Sequence, residues 1–211
     1  MDGNNRWAKK NNFSKEHSYK KGAMKLFKLS DFIFQNYNTK YISAFALSSN
    51  NLQRSASFLK VFTEICNFFI KEFDKHKFEY KINFIGDLSF LSEKIINSLR
   101  DIEKSNKSSK YFLNIFLNYS GRNDIKEASI KLNGNIKSNL DKYLMTKNLP
   151  DPDILFRSGG YQRISDFMLY QISFTELYFS NKLWPDITYK DISNLYVKYS
   201  KTERKFGIWF K

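Results

Sequence analysis

The chain has 211 residues, 42% hydrophobic and 18% aromatic, enough for one large domain or two small ones with a proper core. Lysine and arginine (35) exceed aspartate and glutamate (21) by 14, and the pI is near 9.6. That balance suits nucleic acid, an anionic membrane or phosphorylated substrates, yet the lysines are scattered among Asn, Ile, Phe and Tyr, so charge alone selects none of them. The single cysteine, Cys66, excludes an intramolecular disulfide and agrees with a reducing compartment. No window reaches about 18 uninterrupted apolar residues, so no transmembrane helix is expected. Charge and asparagine begin at once, which does not suit a signal peptide. A cytoplasmic protein is expected. Three prolines and no low-complexity linker mark no boundary, so residues 1–211 are read as a single domain.

Met1–Arg6, MDGNNR, is a turn-forming cluster of the kind that usually leaves a strand. Its position at the head of the sequence predicts a first strand missing upstream, through a late start or truncation. Residues 15–36 repeat apolar side chains at helical spacing. Tyr41–Leu47 is a strand-length apolar run, followed by the polar segment Ser48–Arg54. Residues 55–76 form a strong helix with Phe58, Phe62, Ile65 and Phe69 on one face, widened by Leu59, Cys66, Ile70 and Phe73. A strand over 80–85 ends at Gly86-Asp87, and a helix spans 89–104. The strand 111–117 runs into Asn118–Arg122, then helices over 123–132 and 136–146. Cys66 reads as a core thiol on its helix face. Residues 187–201 form a last helix, and Lys201–Lys205 a solvated basic tail.

Asp153–Phe179 holds the densest chemistry. The apolar run Ile154–Phe156 stops at Arg157-Ser158-Gly159-Gly160, and Arg163, Ser165 and Glu176 follow. Guanidinium groups fork onto phosphate oxygens, and glycines let backbone amides approach an anion. A carboxylate among apolar neighbours needs a cation or a metal. The alternative is a solvated loop and a strand with one exposed glutamate. Strands alternating with helices predict an α/β fold with a central, mostly parallel sheet flanked by helices. Ligands of such sheets sit beyond the carboxyl ends of the strands. The polar clusters Ser48–Arg54, Asn118–Arg122 and Arg157–Gly160 all fall there.

MDGNNRWAKK, Ser-Ser-Asn-Asn-Leu-Gln-Arg at 48–54, FIGD at 84–87, NYSGR at 118–122, LPDPDILFRSGGYQRISDF and ELYF with WPD together resemble the cis-prenyltransferases, the undecaprenyl diphosphate synthase family, across nearly the whole chain. The resemblance implies repeated condensation of isopentenyl diphosphate onto an allylic diphosphate such as farnesyl diphosphate, with cis double bonds, Mg²⁺ and a homodimer. It also implies a product that reaches the membrane surface, and no nucleic-acid partner. It makes Asp2 a catalytic, Mg²⁺-positioning carboxylate and Glu176 the second metal carboxylate. Asn51 matches an asparagine assigned to proton removal; an amide is a poor base, so a positioning role is expected. The implied substrate-binding set is Gly3, Asn4, Asn5, Arg6, Trp7, Lys15, Tyr19, Ser48, Ser49, Asn50 and Arg54, with Arg157, Arg163, Ile164 and Ser165 at the isopentenyl diphosphate. The apolar face of residues 55–73 is either a wall of the product tunnel or an ordinary core face, since the two share a composition.

The sequence departs from the family at several places. Asn5 replaces a glycine, Tyr19 a histidine, Lys15 an arginine, Leu47 an aromatic, Leu52 a tryptophan, Tyr161 an acidic residue and Asp166 an asparagine. Tyrosine donates a hydrogen bond without a titratable charge near neutral pH, and lysine loses the guanidinium fork. These changes keep open a non-catalytic subunit that partners an active relative. A nucleic-acid-binding module needs aromatics interleaved with basic residues on an exposed face, and here the aromatics follow buried periodicities.

Overall fold

The structure, a computed structural model, describes residues 1–52, 56–76, 78–105, 108–134 and 138–204. Its helices are α1 (Asn4–Lys10), α2 (Lys15–Asn36), α3 (Ser49–Leu52), α4 (Ala56–Lys75), α5 (Glu93–Lys104), α6 (Gly121–Leu132) and α7 (Tyr189–Tyr199). The strands are β1 (Tyr41–Phe45), β2 (Lys81–Ile85), β3 (Phe112–Phe116), β4 (Ile154–Arg157) and β5 (Glu176–Phe179). All pairings are parallel, as the α/β pattern requires, in the orders β1-β3-β2 and β4-β5. The free edges of β1 and β4 border the same cavity.

Central β3 is an unbroken apolar run except for Asn114, whose buried carbonyl accepts from Asn83 Nδ2 at 2.9 Å. Beyond it the pairing bulges: the amides of Ala46 and Leu47 both donate to Phe116 O. Ser48 then bridges Tyr119, and Ser49 N donates to Tyr119 O, so the Ser48 and Asn118 clusters lie side by side at the strand ends. One face of the larger sheet packs on Leu26, Phe27, Leu29 and Phe34 of α2 and on Phe62, Cys66 and Phe69 of α4. Phe27 stacks at 4.8 Å from Phe69 and 4.7 Å from Phe78; burying such a ring contributes about 2–3 kcal/mol. The other face carries a smaller cluster of Phe116, Tyr119 and Met168. Among the described residues no helix is long and apolar enough to cross a membrane.

Three elements differ from the sequence reading. MDGNNR is not only a turn: Gly3 turns at φ 108 and Asn4 already opens α1. A seven-residue helix opening on two asparagines is short for independent stability, so tertiary contacts fix it. Ser18 of α2 donates to Asn4 O at 2.7 Å, and Gly22 leaves the room that the Asn4 side chain fills. The helix expected over 136–146 is a single 3₁₀ turn, Leu140–Tyr143; Asn139 caps it through Asp141 N, and Leu144 is already extended. Residues 135–137 lie outside the described part. The tail is not simply solvated: Arg204 bonds the carboxylate of Asp153 and donates to Phe174 O at 3.0 Å. Lys205 lies outside the described residues.

Candidate active site

Asp2 is fixed by its backbone. Its amide donates to Ser158 Oγ at 3.1 Å, that hydroxyl donates back to Asp2 O at 3.0 Å, and Trp184 N donates to the same carbonyl at 2.9 Å. The loop before α1 is thereby tied to the end of β4 and to the WPD turn. The carboxylate meets Arg157 Nη2 at 2.9 Å and Arg6 Nη2 at 3.4 Å. Burial pushes the Asp2 carboxyl up, but the hydrogen bond and charge of Arg157, with the charge of Arg6, hold it below its ordinary value. Arg157 also donates to Ser165 Oγ at 2.7 Å and to Arg163 O. One guanidinium therefore ties the Asp2 loop to the segment that carries Arg163 and Ser165.

That segment is held from below. Ser165 and Asp166 both sit at positive φ, 53 and 65. Asp166 accepts from Ser120 Oγ at 2.5 Å and from Arg122 N at 3.0 Å, and its carbonyl accepts from Gly121 N at 2.8 Å. The start of α6 thus anchors the loop after β4. Sequence reasoning noted Asp166 only as a departure; its two-fold engagement with a segment 44–46 residues away leaves no local signal.

These groups line the polar end of a cavity of about 1670 Å³. Gly3, Asn4, Asn5, Arg6, Tyr19, Ser48, Ser49, Asn50, Asn51, Arg157, Arg163, Ile164 and Ser165 share its wall with Asp2. Among these residues, Asn4 Oδ1, Asn5 Oδ1 and Arg157 Nε are buried without a protein hydrogen-bond partner. Another part of the wall is apolar, with Ala23, Leu26 and Ile33 of α2 and Phe62, Ile65, Cys66 and Phe69 of α4. The face of α4 is thus core and cavity wall at once. Tyr19, edge-on to Phe58 at 6.4 Å, stands among these walls.

Other expected residues are not on this wall. Trp7 is 5% exposed and donates to Asp186 Oδ1 at 2.7 Å, with Lys21 Nζ 4.4 Å above its ring, so it braces α1 from behind. Lys15 is exposed at the start of α2. Arg54 lies outside the described residues. The amides of Gly159 and Gly160 do not face an anion, because the carbonyls of Lys182 and Ser180 take them at 2.7 and 2.9 Å. Glu176 pairs with Ile154 while Arg157 pairs with Phe179. Three residues of strand, about 10 Å, separate the two rows. Glu176 therefore stands at the opposite end of the β4-β5 pair from Arg157.

Among the described residues no group of three His, Cys, Asp or Glu could hold a metal. Mg²⁺ often takes one carboxylate together with substrate phosphates, and Asp2 on the cavity wall fits that manner of binding. Glu176 of the same chain does not join it.

The undecaprenyl diphosphate synthase family model matches residues 1–207. The isoprenyl transferase of Rickettsia bellii is 37% identical over 216 residues, covering 98% of this chain and 95% of that protein. The tritrans,polycis-undecaprenyl-diphosphate synthase (geranylgeranyl-diphosphate specific) of Pyrobaculum aerophilum is 33% identical, with 98% and 92% covered. The crystal structure of lavandulyl diphosphate synthase from Lavandula x intermedia, in complex with dimethylallyl diphosphate, matches with a TM-score of 0.87 at 27% identity, over 99% of this chain and 95% of that one. A chain that shares sequence and fold over this length belongs to the cis-prenyltransferase family, and is a prenyl-transferring enzyme.

Proposed function

We propose that this enzyme is a polyprenyl diphosphate synthase that condenses isopentenyl diphosphate onto farnesyl diphosphate and repeats the step with cis double bonds. The observation that carries this reading is one cavity whose wall holds two arginine-bearing loops in one part and the apolar faces of α2 and α4 in another. A diphosphate-tailed hydrocarbon divides its chemistry in the same way.

Gly3, Asn4, Asn5 and Arg6 hold the allylic diphosphate, and Arg157, Arg163 and Ser165 the isopentenyl diphosphate. The Asp2–Arg157 pair joins the two subsites, placing the reacting carbons in one chamber. As the allylic carbon–oxygen bond breaks, negative charge grows on the leaving diphosphate, and the Arg6 guanidinium stabilises it. Asp2 would hold Mg²⁺ at the leaving diphosphate, and the ion would supply further charge neutralisation there. The isopentenyl double bond attacks the allylic carbon, and a proton is then lost, with Asn51 orienting the group that takes it. The growing chain runs along Phe62, Ile65 and Phe69.

The enzyme works as a homodimer in the cytoplasm, beside the membrane that takes up its product. The free edge of β5, with Leu177 and Phe179 exposed and Phe174 nearby, supports a self-association surface. The test is incorporation of labelled isopentenyl diphosphate into butanol-extractable product from farnesyl diphosphate, with and without Mg²⁺, beside Asp2→Ala. Mg²⁺-dependent long-chain product that Asp2→Ala abolishes supports the synthase. A folded protein with no product under any condition refutes it and leaves the non-catalytic partner subunit.

A further inference from the structure

Tyr161 lies in the loop after β4 with 43% of its surface exposed, and three guanidinium groups surround its ring. The Cζ atoms of Arg163, Arg6 and Arg157 stand 4.1, 4.8 and 6.0 Å from the ring centroid. The three come from separate places: Arg6 from α1, Arg157 from the end of β4, Arg163 from the following loop. Asp2 pairs with Arg157 and Arg6, while among the described residues Arg163 has no carboxylate partner. Three like charges converging on one side chain repel each other, and something must offset that repulsion.

We propose that Tyr161 is a positioning residue that gathers Arg6, Arg157 and Arg163 on one aromatic ring and holds them ready for diphosphate. The ring quadrupole attracts each cation without adding a charge. A carboxylate at this position would do the gathering by accepting the guanidinium N–H groups, and would then compete with the phosphate for them. A ring face takes up none of these N–H donors: Arg157 is already engaged by Asp2, Ser165 and the Arg163 carbonyl, and Arg6 by Asp2, but among the described residues the fork of Arg163 is left without a carboxylate to compete with the anion. The site keeps more positive charge than it would with an acidic residue there, and the two arginine-bearing loops are coupled before ligand arrives. The inference rests on reading the cavity's polar end as a diphosphate site.

Tyr161→Leu and Tyr161→Phe separate the ring face from mere bulk. Binding of inorganic pyrophosphate, with Mg²⁺ present, is measured by calorimetry, and KM and kcat are measured with the diphosphate substrates. Tyr161→Leu should weaken pyrophosphate about tenfold, as expected when two close cation–π contacts are lost. The same variant should raise KM by a similar factor and lower kcat much less. Tyr161→Phe, which keeps the ring, should restore the affinity. The proposal is overturned if Tyr161→Leu binds pyrophosphate like the parent, if its loss falls on kcat alone, or if Tyr161→Phe loses as much. A folded parent protein that binds no pyrophosphate overturns the diphosphate reading itself, a result distinct from a parent that binds and a leucine variant that binds equally well.

Discussion

Gly159 is the glycine where one added methyl group should disturb the Asp2–Arg157 pair directly. It sits at φ 93, directly after the Ser158 that holds Asp2. A Cβ there would stand 2.7 Å from Arg6 Nη2 and 3.1 Å from both Cβ and Cγ of Asp2. The end of Arg6 can swing aside. Asp2 cannot, because three hydrogen bonds fix its backbone. Gly159→Ala therefore carries two costs: about 1–2 kcal/mol of backbone strain in a region that L-residues avoid, and a displacement of the Asp2 carboxylate from its 2.9 Å contact with Arg157. A misplacement of about 1 Å in such sites can cost about a hundredfold, so a shift of a few tenths of an ångström here should lower the rate several-fold. Gly134→Ala is the matched control. Gly134 also has positive φ, 73, but no described atom lies within 4 Å of its Cβ position. It should lose about 1 kcal/mol, from strain alone, and keep its activity. Urea unfolding followed by tryptophan fluorescence gives the stabilities, and labelled isopentenyl diphosphate incorporation gives kcat/KM. If Gly159→Ala matches Gly134→Ala in both, the steric argument is wrong.

Three further outcomes are expected. Trp7→Phe keeps a ring but loses the 2.7 Å bond to Asp186, and should cost about 1–2 kcal/mol in urea unfolding; a variant as stable as the parent would show that the bond does not brace α1. Asp2 has a folded pKa below its ordinary 3.8, through Arg157 and Arg6 acting against burial. A carboxylate depressed on folding stabilises the protein above its unfolded value and loses that contribution as pH falls through the folded one, so Asp2→Asn should flatten the acid limb of the stability profile below about pH 4, and an unaltered limb would contradict the pairing. Burial pushes the Cys66 thiol up to about 12, so iodoacetamide at pH 8 should label it slowly in the native protein and fast after unfolding; rapid labelling of the native protein would contradict that raised pKa.

Much of the fold was legible because the apolar runs are long and the elements local. The pattern over residues 41–47, 80–85 and 111–117 lands on β1, β2 and β3, shifted by a residue or two. The clustering of polar segments at strand ends was legible for the same reason, since a parallel sheet sends every carboxyl end to one side. What escaped depends on partners far along the chain. The amides of Gly159 and Gly160 looked free for an anion until the chain returned with Ser180 and Lys182. Trp7 resembled a wall residue, yet its indole is claimed by Asp186, 179 positions later. The helix at Asn4 opens on two asparagines that favour caps and turns, and Gly22 and Ser18 of α2 and Asp186 on Trp7 help hold it.

The departures from the family pattern are where the two kinds of information meet. Tyr161 and Asp166 stand in one loop, and both replace a residue of different charge. Asp166 places its carboxylate on Ser120 and the Arg122 amide at the start of α6. Tyr161, where the family resemblance points to a carboxylate, offers a ring to Arg163 and Arg6 instead. The acidic group that this loop carries is therefore spent on anchoring, while the face turned to the cavity keeps Arg6, Arg157 and Arg163 with Asp2 as their only carboxylate among the described residues. On the proposed reading, a site that holds two diphosphates is served by positive charge gathered without being neutralised, and the exchange of these two residues within one loop supplies it.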